Sequence, residues 1–266
     1  MISVAIKGLS ILQFNKLSSF TELLHFSTER TGGRSAANYS SLNLGLNSGD
    51  TRENVITNRN TLCKALNIST DRLIFPKQTH TPTVKVITGD FFAIGENDQK
   101  QFLGETDALI TNLKGFCIAV KTADCVPVLL YDPKRKVVAA IHAGWRGTAQ
   151  NIVFKAIQKM IKEFGSDPAD LMAGIGPSIS PDVYEVGKEV YSQFDPEFYL
   201  DTIPIRPDKR LLDLWKANRH QLITGGIPVG QIETAQLCTW SDSDRFFSAR
   251  RDGSKTGRMA TGIMLL

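Results

Sequence analysis

The sequence predicts a mixed α/β fold of α+β character, arranged as a single domain over residues 1–266. Three observations predict it. At roughly 150 residues per domain the length gives one large domain or two small ones, and no linker, internal repeat or low-complexity stretch divides the 266 residues. A strand, strand, helix, strand series runs through residues 116–175. Adjacent strands that precede a helix imply mixed sheets flanked by helices, not a purely parallel sheet.

The elements follow in order. The first stretch, MISVAIKGLSILQF, is apolar, but a lysine interrupts it and no small-residue cleavage site follows, so it does not read as a secretory signal. His25 sits in a short apolar strand. Residues 29–50 are polar and glycine-rich, and a loop of that length in a compact domain is often functional. Residues 51–67 read as a helix with Val55, Leu62, Ala65 and Leu66 on its inner face. FCIAVK (116–121) and VPVLLY (126–131) are short, apolar and rich in β-formers. Asp132-Pro133 makes a turn, and KVVAAIH (136–142) is a further strand. From a cap at Thr148, apolar residues recur at helical spacing from Ile152 to Phe164, and Gly165 is placed to end the helix. LMAGI (171–175) is the next strand. Residues 211–224 read as a helix stopped by Gly225-Gly226, with His220 among its polar residues, and residues 258–265 as a closing strand.

Composition narrows the function classes. Hydrophobic residues at 42% and charged residues at 22% exclude a disordered or fibrous chain. The net charge of +4 is spread out, so neither nucleic acid nor an anionic membrane is an expected partner. No run approaches the ~18 apolar residues of a membrane span. Cys63, Cys117, Cys125 and Cys238 lie far apart with no C-x-x-C pair, which argues against a disulfide framework and for a reduced, cytoplasmic setting. GIGPSI lacks the third glycine of a dinucleotide fingerprint, and GSKT lacks the Gly-Lys pair of a P-loop. The H-x-E and P-C-x-x-C signature of zinc nucleobase deaminases is absent. Four histidines are too few for a trinuclear copper cluster.

Three segments place reactive residues where apolar elements end: KQTH (77–80), TADC (122–125) and HAGWRGT (142–148). In α/β folds ligands sit at such ends. Cys125 and His142 belong to sequential strands expected to pair. His80, Cys125 and His142 together would make a two-imidazole, one-thiolate metal site, and three protein ligands with an open fourth position is the catalytic zinc pattern. Their spacing matches no local zinc motif, and each residue alone has a bland structural reading. The same residues also support a metal-free reading, with Cys125 as nucleophile, His142 as base and Asp124 or His80 as the orienting group. Arg34, Asn43, Gln78, Arg146, Arg250 and Arg251 lie in turn-like stretches that present side chains to a substrate. A helix starting near Thr148 would turn free N–H groups toward Gly144–Gly147 and favour an anion there.

SLNLG (41–45), NRNTL (58–62), KQTH, TDALIT (106–111), TADCVPVLLYDP (122–133), HAGWRGT, GIGPSIS (174–180), YEVG (184–187), LDLWKANRHQL (212–222), CTW (238–240), FFSARRDG (246–253) and TGRMA (256–260) run in order along the chain. In them the sequence resembles the bacterial laccase-domain family, also called the multicopper polyphenol oxidase or purine nucleoside phosphorylase family. The resemblance implies mixed sheets with flanking helices, in a fold similar to cysteine hydrolases. It implies a metal held at the positions of His80, Cys125 and His142, expected to be zinc with copper as the competing ion. It also implies phosphorolysis of adenosine, inosine and S-methyl-5′-thioadenosine, and hydrolytic deamination of adenosine to inosine. Purine nucleosides and phosphate are the expected partners of a monomer or homodimer. On this reading Arg146 or Arg34 takes the phosphate, while Gln78, Asn43, Asp124 and Arg250 contact the substrate. The alternatives are a Cys-His amide hydrolase editing peptidoglycan precursors and a copper-dependent polyphenol oxidase. The sequence departs from the family where Thr81 replaces a glycine after the KQTH histidine, and where Ala249 replaces a tyrosine.

Overall fold

The computed structural model describes residues 1–201, 206 and 208–266. Two six-stranded mixed sheets pack face to face, and helices cover their outer faces. The first sheet has the order β1 (Ile2–Ile6), β2 (Leu9–Gln13), β3 (Leu23–Thr28), β15 (Met259–Leu265), β7 (Cys117–Thr122), β4 (Leu73–Ile74). The second runs β14 (Ile232–Thr234), β10 (Met172–Ile175), β8 (Val126–Asp132), β9 (Val137–Ala143), β6 (Ala108–Thr111), β5 (Val84–Ile87). A small third sheet joins β11 (Glu185–Gly187), β13 (Lys209–Leu212) and β12 (Tyr199–Asp201).

The central strands are buried on both faces, which is why they read as continuous apolar runs without alternation. Leu109, Leu129, Val138 and Ala140 of the second sheet meet Ile118, Val120, Ile263 and Leu265 of the first. Their neighbours Ile110, Val128, Leu130 and Ile141 turn the other way, onto α4 (Ile152–Phe164) and α6 (Leu214–Thr224). On the far side of the first sheet, Leu62, Ala65 and Leu66 of α1 (Arg52–Leu66) pack on Phe26, Cys117 and Met264. The apolar N-terminal stretch is an antiparallel hairpin turned at Lys7-Gly8, both at positive φ (44° and 89°), the backbone of a primed two-residue turn.

Two helix boundaries depart from the sequence reading. The expected helix from Thr148 is two helices, α3 (Trp145–Ala149) and α4, broken at Asn151 in the left-handed region (φ 60°). Gln221 of α6 makes the break tolerable: its Oε1 accepts from Val153 N and Phe154 N, and its Nε2 donates to Thr148 O. The expected helix over 211–224 begins at Leu214, capped by Asp213, because Leu211 and Leu212 are paired in β13. The remaining helices are α2 (Glu96–Phe102), α5 (Lys188–Tyr191) and α7 (Ala249–Asp252). Among the described residues no helix is long and apolar enough to cross a membrane.

Candidate functional site

The chain crosses from the first sheet to the second twice near the site, between β4 and β5 and between β7 and β8. His80 lies on the first crossing and Cys125 on the second. His142 stands at the C-terminal end of β9, paired with Pro127 of β8. Their ligand atoms all lie within 4.8 Å of one another. Cys125 Sγ is 3.9 Å from His80 Nε2, and the two imidazole rings cross at 71° with centroids 4.9 Å apart. His142 is buried, Cys125 half-buried and His80 exposed, so the cluster opens to solvent on the His80 side. Two imidazoles and a thiol at this separation could hold a metal ion.

Asp107, at the entry to β6 and fully buried, organises the cluster. Its carboxylate accepts five hydrogen bonds, from Thr79 N, His80 N, Thr81 N, Thr81 Oγ1 and His142 Nδ1, the last at 2.6 Å. The same side chain therefore shapes the KQTH turn and fixes which nitrogen His142 presents to the site. Burial alone would raise the Asp107 carboxyl, but His142 and the backbone donors hold it down at about 2. Burial would likewise discharge His142, yet Cys125 and Asp107 raise it to about 9. Cys125 is the counterpart: burial pushes its thiol up, and His142 then His80 outweigh that and bring it to about 6.

This corrects one sequence expectation. The group that orients His142 is neither Asp124 nor His80. Asp124 sits at φ 90° on the β7–β8 crossing, and its oxygens are taken by Thr239 Oγ1 and Arg250 N. The signal for Asp107 lay in TDALIT, where an acid directly precedes an apolar strand. The Thr81 departure also resolves. His80, not Thr81, adopts the left-handed backbone (φ 62°), and Thr81 adds a hydroxyl donor to Asp107.

The remaining candidates divide into two groups. Gln78 is clamped to Lys121, donating to its carbonyl at 2.7 Å and accepting from its N–H at 2.8 Å. Asn43 is fully buried, and its Oδ1 accepts from Gly45 N and Arg258 N. These two amides hold protein backbone. Arg146 and Arg250 are exposed; Arg146 lies over the Trp145 ring at 4.2 Å, and Arg250 lies over Tyr184 at 5.0 Å while donating to Glu185 O. Both arginines and Cys125 act electrostatically on Tyr184, whose phenol is pushed up by burial first, so the four share one neighbourhood. Tyr184 opens the YEVG segment (184–187). Arg34 is exposed and is tied down through its backbone N–H to Asn58. The helix starts at Trp145, not near Thr148, and runs five residues from Gly144 at its N-cap. A cavity of about 430 Å³ between α4, α6 and residues 193–198 includes none of the three cluster residues.

A family model described as multi-copper polyphenol oxidoreductase laccase matches residues 24–266. A purine nucleoside phosphorylase of Bacteroides thetaiotaomicron is 44% identical over 100% of this chain and 99% of its own. An adenosine deaminase from an unknown prokaryotic organism is 41% identical over 90% of this chain and 92% of its own. Among solved structures, the hypothetical protein YfiH of Bacillus licheniformis superposes with a TM-score of 0.88 at 34% identity, covering 98% of both chains. YlmD from Geobacillus stearothermophilus gives 0.87 at 32% identity, covering 97% of this chain and 96% of that one. Sequence, fold and the crossing-point cluster agree, and the chain belongs to the laccase-domain family.

Proposed function

We propose that the chain is a zinc-dependent purine nucleoside enzyme. It cleaves adenosine, inosine and S-methyl-5′-thioadenosine with phosphate, and it deaminates adenosine hydrolytically. The observation that carries this reading is the solvent-open cluster of two imidazoles and one thiolate, in a chain whose relatives bear both enzyme names. The donor set suits zinc, for which thiolate and imidazole are ordinary ligands. His80, Cys125 and His142 would hold the zinc, which would supply Lewis acidity that brings the ionisation of water toward neutral pH. Asp107 keeps His142 in the tautomer that turns Nε2 to the cluster. Arg146, Arg250 and Tyr184 form the rim where a nucleoside is oriented. Asn43, Gln78 and Asp124 serve the substrate indirectly, through the loops they hold. The reading includes a cytoplasmic location.

Products formed by metal-quantified protein from adenosine, with and without phosphate, test the proposal. Adenine and ribose-1-phosphate are expected only with phosphate, and inosine without it. No product from the zinc-loaded protein, with inosine and methylthioadenosine also inert, would overturn it.

One observation favours a second reading. Cys125, His142 and Asp107 line up as thiol, imidazole and carboxylate, with the thiol held at about 6, which is the arrangement of a Cys-His amide hydrolase acting on a cell-wall precursor. Cys125→Ser separates the two. Loss of bound zinc supports the metal site, whereas retained zinc with lost activity and lost alkylation supports the nucleophile.

A further inference from the structure

Several motifs remain unused by this account: SLNLG, NRNTL and TGRMA, with the Gln78 clamp. Each holds or supplies a cation. Arg59, in NRNTL, donates through Nε and Nη2 to Leu44 O. Lys121, whose backbone Gln78 grips on both sides, donates through Nζ to Pro76 O at 3.0 Å. Arg258, in TGRMA, has its N–H held by Asn43 of SLNLG, and its guanidinium donates to Thr256 O, Gly257 O and Ser254 O.

The three are neighbours. Arg59 and Lys121 share the Phe75 ring, at 4.5 and 4.8 Å from its centroid. Arg59 and Arg258 both act on Lys121 as like charges, and Arg258 feels the charge of Cys125 and Asp124. All three are half-buried. None makes an ion pair with a carboxylate among the described residues. Their acceptors are backbone carbonyls, and among the described residues Arg59 Nη1, Arg258 Nε and two ammonium protons of Lys121 have no protein acceptor. Burial, then Arg59, brings the Lys121 ammonium down to about 7, against the opposing pull of the Asp107 carboxylate.

Desolvated cations are costly unless a negative group compensates them. Two arginine forks and an ammonium suit a tetrahedral oxyanion. We propose that Arg59, Lys121 and Arg258 form the subsite for inorganic phosphate beside the His80–Cys125–His142 cluster. This rests on the phosphorolytic reading above, and it moves phosphate binding from Arg146 or Arg34 to an inner, preorganised trio. In the reaction a phosphate oxygen bonds to the ribose anomeric carbon as the bond from that carbon to the purine nitrogen breaks. The bonding pair leaves with the purine, and the proton that phosphate gives up ends on it. The trio orients the attacking oxygen and holds the phosphate charge.

The test uses full-length, zinc-quantified protein with wild type, Lys121→Met, Lys121→Arg, Arg258→Met and Arg146→Ala. Phosphate affinity is read by titration calorimetry with inorganic phosphate and as the phosphate KM of phosphorolysis; urea midpoints and zinc content check folding. Lys121→Met and Arg258→Met are expected to weaken phosphate at least tenfold and to lower the ratio of phosphorolysis to phosphate-free deamination by a similar factor. Lys121→Arg is expected to restore most of it. Phosphate affinity within twofold of wild type in both Met variants, or a loss confined to Arg146→Ala, overturns the proposal. Adenosine monophosphate bound better than adenosine in phosphate-free buffer, with that preference lost in Lys121→Met, would assign the trio to a nucleotide's own phosphate and also overturn it. If no nucleoside is turned over, the phosphorolytic reading fails, while calorimetry still decides whether the trio binds phosphate.

Discussion

His142 and His25 are both buried imidazoles on central strands, and their surroundings drive them to opposite protonation states. His25 in β3 is 1% exposed; its Nε2 accepts from Phe14 N, its Nδ1 has no partner among the described residues, and burial lowers it to about 4. His142 in β9 is 4% exposed, yet Cys125 and Asp107 raise it to about 9. Burial is common to both. What differs is the partner: a backbone N–H can only be met by a neutral ring, whereas a carboxylate and a thiolate favour a charged one. The two regions teach that a buried histidine is held charged by the thiolate and the acid placed beside it.

The largest break in this comparison is removal of that acid. Asp107→Ala would strand three backbone N–H groups and the His142 ring, and is expected to cost roughly 3–5 kcal/mol in urea denaturation and to abolish zinc binding. Asp107→Asn, which keeps the shape, should weaken zinc about 10–100-fold in a competition titration. Unchanged zinc affinity in the Asn variant would remove Asp107 from its role.

Next comes pH. The folded-state value of His25, about 4, lies below the ordinary 6.5. Its contribution is therefore complete above pH 6.5 and is lost as pH falls through 4, roughly 3 kcal/mol at 1.36 kcal/mol per unit. Urea midpoints across that window should fall less steeply in His25→Gln than in wild type. Equal slopes would mean that His25 does not titrate as described.

A glycine in each region sharpens the contrast. A Cβ on Gly174 would stand 2.7 Å from the Phe14 ring, which stacks on His25, so Gly174→Ala should cost about 1–3 kcal/mol by overpacking. A Cβ on Gly144 would stand 3.0 Å from Cys125 Sγ and 3.1 Å from His80 Cδ2. Gly144→Ala should lower zinc affinity while leaving the urea midpoint nearly unchanged. The reverse pattern in the two variants would refute the contrast. The smallest effect belongs to Thr81→Val, which loses one hydroxyl bond to Asp107 and should cost about 1 kcal/mol.

Legibility from sequence followed contact range. β7 to β10 were readable because strands buried on both faces must be continuously apolar and turns need Asp-Pro or glycine. The small β11–β13–β12 sheet was not, since its strands are short and β13 opens with Lys209-Arg210. The break before α4 was invisible because Gln221, distant in sequence, supplies its cap. The cluster residues were picked out by position, at the ends of apolar elements. Asp107 and Arg258 were passed over because their importance lies in partners on other segments: the KQTH turn and His142 for one, Lys121 and Asn43 for the other.

The two sheet crossings carry a further consequence, for the order of folding. The donor atoms are spread from residue 80 to residue 142 and come within 4.8 Å only when both sheets have stacked. An unfolded chain offers an ion nothing comparable. Metal capture at this cluster would therefore be a late event that reports completion of the sandwich, and it would act as a ratchet on the native state. Each tenfold excess of free ion over its dissociation constant deepens that state by about 1.4 kcal/mol, so the apparent thermal midpoint should climb with metal concentration and not with the rate of heating.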